Sequence, residues 1–242
     1  MRPFDGRRVL LVVAGGIAAY KSVHLLRSLR SEGAEVEVMM TGAAEHFVGR
    51  VTFEALAGRP VHTDLWTRPL AHIELGRDCD LAIVAPATAD LLAAMAHGRA
   101  DDLASATLLA ADCPVLACPA MNTRMWEHPA TVRNLEMLTE DGVRLVGPED
   151  GPLAEGEFGV GRMAEPEQIM SVAGRLLEVD SILGGRKVVV TAGPTREAID
   201  PVRFRGNRSS GRLGFELAAS AWRRGAEVGC LDGPAAVPRP LG

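Results

Sequence analysis

The side chains with the clearest chemical potential in this sequence are an amide, Asn122, and an imidazole, His72. Asn122 follows a short apolar run, residues 114–118, that predicts a buried strand, and open α/β sheets bind ligands at the carboxyl ends of their strands. An amide there could hold a carboxylate, or it could cap the helix that follows. His72 is a candidate general base, because imidazole titrates near neutral pH; alternatively, it is a loop residue before the strand that begins at Leu81.

A second candidate is the glycine turn of Gly15 and Gly16, which joins the first predicted strand to the first predicted helix. Such turns let the backbone approach a ligand, and the helix N-terminus attracts a phosphate. The spacing is not Gly-x-Gly-x-x-Gly, and Thr41 rather than a carboxylate ends the second strand, so the NAD fingerprint fails. A mononucleotide fits better. The turn alone is a weak signal, since many strand–helix turns are glycine-rich for steric reasons.

The elements that must position these residues alternate between strand and helix. Residues 8–14 form a nearly continuous apolar run, as expected for a strand buried on both faces. Further strands are predicted at 36–40, 81–85, 114–118 and 143–146. Helices are predicted at 17–31, 43–48, 89–95, 103–111, 130–141 and 167–177. This alternation predicts a doubly wound, parallel, three-layer α/β fold.

A break near residues 180–186 predicts two domains, 1–180 and 186–242. The pattern restarts with a strand at 187–191, a helix at 213–224 and a strand at 228–231. One βαβ unit is too little for an independent core. We therefore expect the second region to be the start of a longer α/β domain.

Bulk properties narrow the class of protein. The net charge of −5 and scattered basic residues give no support for nucleic-acid binding. No apolar run approaches the roughly 20 residues of a membrane helix, and the N-terminus lacks the form of a signal peptide. The four cysteines show neither a Cys-x-x-Cys pair nor a histidine at zinc spacing. We expect a cytoplasmic protein with reduced thiols and no metal site.

Two motifs resemble those of one enzyme family. The string Pro-Ala-Met-Asn-Thr-Arg-Met-Trp at 119–126 and Ala-His-Ile-Glu-Leu at 71–75 resemble elements of the flavin-containing cysteine decarboxylases. The resemblance covers residues 8–178. It implies that His72 assists proton removal during thiol oxidation, and that Asn122 holds the substrate carboxylate beside Met121 and Met125.

The same resemblance implies an FMN site at the ends of four predicted strands. Its implied residues are Gly15, Gly16, Ile17, Thr41, Ala87, Thr88, Ala89, Asp90 and Ala120.

Residues 153–163 resemble the family's flexible active-site flap. Several relatives carry a proton-donating cysteine where this chain has Glu155. Either Glu155 is the acid, which a shielded carboxyl could be, or another group or water acts, or the last step is impaired.

Residues 187–242 resemble only the start of the CTP-dependent phosphopantothenate–cysteine ligases. By that resemblance Asn207 would bind the acyl-nucleotide intermediate, and CTP, with Mg²⁺, would lie near Gly193, Pro194, Thr195 and Arg196. The Ser-Ser-Gly string at 209–211 could also be only a cap and turn. The ligases' downstream lysine-bearing loop is missing, so we expect no ligase activity from these residues alone.

Together the two resemblances are those of the bifunctional proteins of coenzyme A biosynthesis. They imply decarboxylation of 4′-phosphopantothenoylcysteine to 4′-phosphopantetheine by a homo-oligomer, a trimer or a multiple of trimers, with FMN between protomers. The alternatives are a flavin-binding regulatory subunit and a peptide cysteine decarboxylase. The attached ligase start argues against the peptide enzyme, and the chain lacks the acidic tail usual in the regulators.

Overall fold

The computed structural model of the chain describes residues 3–154, 156–178, 182–237 and 239. The chain divides into two compact units, Met1–Ala173 and Gly174–Gly242. This division falls ahead of the predicted break at residues 180–186, of which 180 and 181 lie outside the described residues.

The first unit is built on a five-stranded parallel sheet with the order β2-β1-β3-β4-β5. Its strands are β1 (Arg8–Val13), β2 (Glu35–Met40), β3 (Leu81–Ala87), β4 (Val115–Pro119) and β5 (Arg144–Leu145). The predicted parallel α/β fold is confirmed. Every residue of β3 is buried, as is all of β1 after Arg8, which explains their continuous apolar runs.

Eight helices accompany the sheet among the described residues. They are α1 (Ala19–Ser31), α2 (Arg50–Ala57), α3 (Ala71–Arg77), α4 (Ala89–Ala96), α5 (Leu103–Leu109), α6 (Thr123–Trp126), α7 (Pro129–Glu140) and α8 (Pro166–Leu177). Helix α1 packs Leu25, Leu26 and Leu29 into the core. Burial of three such side chains contributes about 1.5–3 kcal/mol each.

One predicted helix differs from the observed structure, and two observed helices between β2 and β3 were not predicted. The helix expected at 43–48 is a single 3-10 turn, Ala44–His46, because Gly49 is extended and starts α2 instead. Helices α2 and α3 were missed; α3 buries only a short pair at helical spacing, Ala71 and Leu75, and begins after Leu70 in a left-handed conformation.

The segment that resembles a flap, residues 153–163, is part of an antiparallel hairpin. Its strands are β6 (Glu149–Pro152) and β7 (Phe158–Arg162). We call residues 149–163 the hairpin. Glu155 lies outside the described residues.

The second unit contains the predicted pattern of a strand, a helix and a strand, with the two strands parallel. Strands β8 (Lys187–Ala192) and β11 (Glu227–Asp232) pair in parallel, and α9 (Arg212–Arg223) lies between them in sequence. Helix α9 buries Phe215, Ala218 and Ala221 at helical spacing. A short antiparallel hairpin of β9 (Arg196–Ala198) and β10 (Phe204–Gly206) was not predicted.

Candidate active site

A cavity of about 770 Å³ lies at the carboxyl ends of the parallel strands in the first unit. Its lining includes the residues that follow β1 to β4, namely Ala14, Thr41, Thr88 and Ala120. The strand order reverses between β1 and β3, and open α/β sheets bind ligands at such a switch point. The volume falls within the roughly 300–1,000 Å³ typical of small-molecule sites.

Most of the residues predicted for the site lie on this one cavity. Those lining it are Gly15, Gly16, Ile17, Thr41, Thr88, Ala89, Asp90, Ala120, Met121, Asn122 and Met125. Ala87 is buried inside β3, and its carbonyl accepts a hydrogen bond from the Ala120 N–H at 3.1 Å. Ala87 therefore supports Ala120 rather than facing the cavity.

The glycine turn needs Gly15 for a steric reason. A Cβ added at Gly15 would lie 2.4 Å from the Cβ of Ala43, which follows β2. Only glycine lets the first and second strand ends come this close. The N-cap residue of α1, Ala18, lines the cavity, and no described side chain caps the helix. The positive end of this helix suits a phosphate.

Asn122 both caps a helix and lines the cavity. Its Oδ1 accepts a hydrogen bond from the Arg124 N–H at 2.8 Å, at the start of α6. The cap alternative is therefore real. Asn122 also lines the cavity, and its role toward a substrate stays a prediction.

The hairpin forms one wall of the cavity and packs directly on the segment around Asn122. The Met121 N–H donates to the Gly161 carbonyl at 3.0 Å. A Cβ at Gly161 would lie 2.1 Å from the Met121 oxygen, and one at Gly159 would lie 2.5 Å from Thr123 Oγ1. The Gly-x-Gly spacing of β7 is thus required by this close approach, a signal that sequence reasoning missed.

A second missed group surrounds the start of α5. Asp102 and Ser105 form a reciprocal capping box and line the cavity, beside the ion pair of Arg99 and Asp101. The signal was the Asp-x-x-Ser spacing before an apolar run. These groups give this side of the cavity a polar wall.

His72 is not among the described residues that line the cavity of its own chain. It lies half-buried in α3, and its Nδ1 is buried with no hydrogen-bond partner in the described part of the chain. The segment before it exposes large apolar side chains, with Trp66 85% and Leu70 64% exposed. The role predicted for His72 stays a prediction.

No cysteine belongs to the described lining of the cavity. Cys118 in β4 is completely buried, and burial raises the pKa of its thiol, so this thiol stays protonated. Among the residues that the structure describes, no group of three His, Cys, Asp or Glu side chains is arranged to hold a metal ion.

In the second unit, the predicted nucleotide residues begin where β8 ends. Gly193 has a positive φ of 85°, and Gly233, which follows β11, would place a Cβ 2.1 Å from the Pro194 oxygen. The Arg196 guanidinium stacks on Phe204 at 4.4 Å from the ring centroid. Asn207 Oδ1 accepts the Ser209 N–H at 3.3 Å. The nucleotide roles of these residues and of Thr195 stay predictions.

The fold and the cavity define a class of protein, an α/β domain that binds a nucleotide-like ligand at its switch point. Residues 2–177 match the family model for flavoproteins. Residues 183–242 match the C-terminal domain model of the DNA/pantothenate metabolism flavoproteins. The chain belongs to the flavoprotein family.

Curated relatives extend the likeness across both units. The chain is 51% identical over 233 residues to the Coenzyme A biosynthesis bifunctional protein CoaBC of Mycobacterium tuberculosis, covering 94% of this chain and 56% of that protein. The Escherichia coli protein of the same name is 45% identical over 239 residues, with 97% and 59% covered. The chain thus spans a little over half the length of these relatives.

Solved structures resemble the first unit. An FMN-dependent cysteine decarboxylase, SpaF, aligns with a TM-score of 0.63 and 35% identity, covering 71% of this chain and 97% of that one. A PPC decarboxylase mutant complexed with pantothenoylaminoethenethiol aligns with a TM-score of 0.61 and 35% identity, covering 69% and 96%. In the described residues, no helix is long and apolar enough to cross a membrane.

Proposed function

We propose that the first unit binds FMN and decarboxylates 4′-phosphopantothenoylcysteine to 4′-phosphopantetheine in coenzyme A biosynthesis. The main observation in support of this proposal is that Asn122 and the Gly15-Gly16 turn line one cavity at the switch point of the sheet. The likeness to the CoaBC proteins and to the PPC decarboxylase structure supports this substrate.

The residues fit a flavin mononucleotide. Gly15, Gly16 and Ile17 at the N-terminus of α1 would hold the phosphate, because that helix end lacks a described side-chain cap. Thr41, Ala120 and the segment 88–90 would contact the rest of the cofactor. Flavodoxin has the same strand order, 2-1-3-4-5, and holds FMN at its β1/β3 switch point.

The substrate's carboxylate lacks an electron sink, so direct loss of CO2 would leave an unstabilised carbanion. FMN, when bound, would supply a two-electron oxidation of the substrate thiol and would return both electrons at the end. The thioaldehyde made by the oxidation accepts the electron pair released with CO2, giving an enethiol. In this scheme Asn122 holds the carboxylate, and His72 removes a proton during thiol oxidation.

We further propose a homo-oligomer, a trimer or a multiple of trimers, in which His72 serves the cavity of a neighbouring copy. Three observations support it: His72 lies outside its own chain's described lining, its Nδ1 lacks a described partner, and Trp66 and Leu70 are exposed beside it. We place the protein in the cytoplasm, which suits its four free thiols.

The second unit is proposed to be the start of a CTP- and Mg²⁺-dependent phosphopantothenate–cysteine ligase domain. Its match to the flavoprotein C-terminal domain supports this. The relatives are longer, so ligase turnover would need chain beyond residue 242.

The proposed function is tested by incubating the purified chain with 4′-phosphopantothenoylcysteine and following the substrate mass. We expect the mass of 4′-phosphopantetheine, lower by CO2. Bound flavin with an unchanged substrate would contradict the proposal and favour a regulatory subunit or a peptide substrate. A product lighter by CO2 and two hydrogens would show that decarboxylation occurs and the final reduction fails.

Gly15→Val should empty the flavin site. The added side chain collides with Ala43, and overpacking of this kind costs about 1–3 kcal/mol of the free energy of unfolding. We expect flavin bound per chain, measured by absorbance, to fall at least about tenfold. Gly49→Ala is the control, since no heavy atom lies within 4 Å of its added Cβ. Equal flavin in both variants would contradict the phosphate site.

Glu155→Gln tests the proton donor of the last step. If this carboxyl donates the proton, the variant should slow formation of the reduced product about 10²–10⁴-fold, and the enethiol should accumulate. Mass spectrometry of quenched reactions measures both species. Glu157→Gln, two residues later in the sequence, is the matched control. Unchanged kinetics in Glu155→Gln would remove it from the mechanism.

A further inference from the structure

Lys21 is a buried cation on the wall of the cavity. Its side chain is nearly inaccessible to solvent, since the residue is only 6% exposed. Its Nζ donates hydrogen bonds to the Met163 carbonyl and to Glu165 Oε1, both at a distance of 2.8 Å. A buried ammonium without partners is strongly unfavourable, so these two contacts must persist for Lys21 to stay inside.

The position of Lys21 is not explained by the stability of α1. Lys21 is the third residue of the helix, inside the first turn, where a cation opposes the helix dipole. The contacts of Lys21 instead reach across the sequence to residues 163 and 165, directly after β7.

Both ends of this contact belong to the cavity wall. Lys21 and Met163 line it, as does Arg162, whose Nη2 donates to Glu165 Oε1 at 3.3 Å. The Glu165 carboxylate therefore pairs with two cations: Lys21 in α1 and Arg162, the last residue of β7. The cluster joins the phosphate side of the cavity to the base of the hairpin.

We propose that Lys21 is a positioning residue that ties the base of the hairpin to the first turn of α1. The tie holds the hairpin against the segment of Met121 and Asn122, where the substrate is proposed to bind. The tie itself is a property of the fold, and its effect on turnover rests on the proposed function.

Lys21→Met in the flavin-loaded protein tests the tie. We expect hydrogen exchange of the hairpin amides, residues 149–163, to speed up at least about tenfold relative to wild type. The flavin dissociation constant should stay within about threefold, and KM should rise more than kcat falls. Hydrogen exchange needs no turnover, so an inactive wild-type protein would leave this readout intact.

Further variants separate positioning from simple stability. Glu165→Gln should accelerate hairpin exchange in the same direction but less, because Lys21 keeps its bond to Met163. The Lys21→Met/Glu165→Gln double variant should be no worse than Lys21→Met alone, because the two residues act as one unit. Glu167→Gln, a nearby exposed carboxylate, should exchange like wild type. These variants also cover the case in which Lys21→Met does not fold.

Two results would overturn the proposal. Unchanged hairpin exchange in folded Lys21→Met and Glu165→Gln would mean that the contact positions nothing. Unchanged exchange with flavin affinity weakened at least about tenfold would make Lys21 a direct cofactor ligand instead.

Discussion

Asn122→Asp should lose at least about 10³-fold in kcat/KM for decarboxylation while keeping its flavin and its fold. The substituted carboxylate can still accept the Arg124 N–H that the amide oxygen now accepts, so the cap of α6 survives. What changes is the charge of a residue that lines the cavity, where a carboxylate would repel the proposed substrate carboxylate. Single-turnover CO2 release with bound flavin quantified in the same sample measures the effect.

Two further variants separate the cap from the chemistry. Asn122→Ala removes both functions and should lose activity together with about 0.5–2 kcal/mol of the free energy of unfolding. His128→Ala removes a neighbouring cap, in which His128 Nδ1 accepts the Ala130 N–H at 3.2 Å, and His128 lies outside the described lining of the cavity. It should lose stability and keep activity. If Asn122→Asp turns over like wild type, the side chain is only a cap.

Much of the first unit could be predicted because its signals are local. Strands such as β1 and β3 are buried on both faces, so their sequences are continuous apolar runs with no competing pattern. The site residues at strand ends followed from the rule for open α/β sheets. Residues Gly15, Thr88 and Asn122 come together from three separate segments on that basis.

The other features of the first unit depend on structural context that no local sequence pattern predicts. The glycines of β7 are explained only by their close approach to Met121 and Thr123, far away in sequence. Lys21 reads as an ordinary polar residue of a helix until Glu165 is placed beside it. Helix α3 is too short for its periodicity to be recognised, although it carries His72.

Mixed assemblies of two inactive variants should recover activity if His72 serves a neighbouring cavity. His72→Asn and Asn122→Asp should each lose about 10²-fold or more when homogeneous. In a cyclic trimer that contains both variants, one of the three cavities pairs an intact Asn122 with an intact His72 from the adjacent copy, so about a third of wild-type turnover should return. Co-expression with two different tags and tandem purification gives the mixed assemblies.

The comparison distinguishes sharing between copies from action within one chain. If His72 acted on the cavity of its own chain, every cavity in the mixture would carry one defect, and turnover would stay at the level of the parents. Each variant co-expressed with a differently tagged copy of itself is the control, and it should remain inactive. Mixed assemblies that stay inactive with full flavin would exclude the shared site. Recovery of activity would explain why Trp66 and Leu70 are exposed: they would belong to the surface that brings His72 to the next copy.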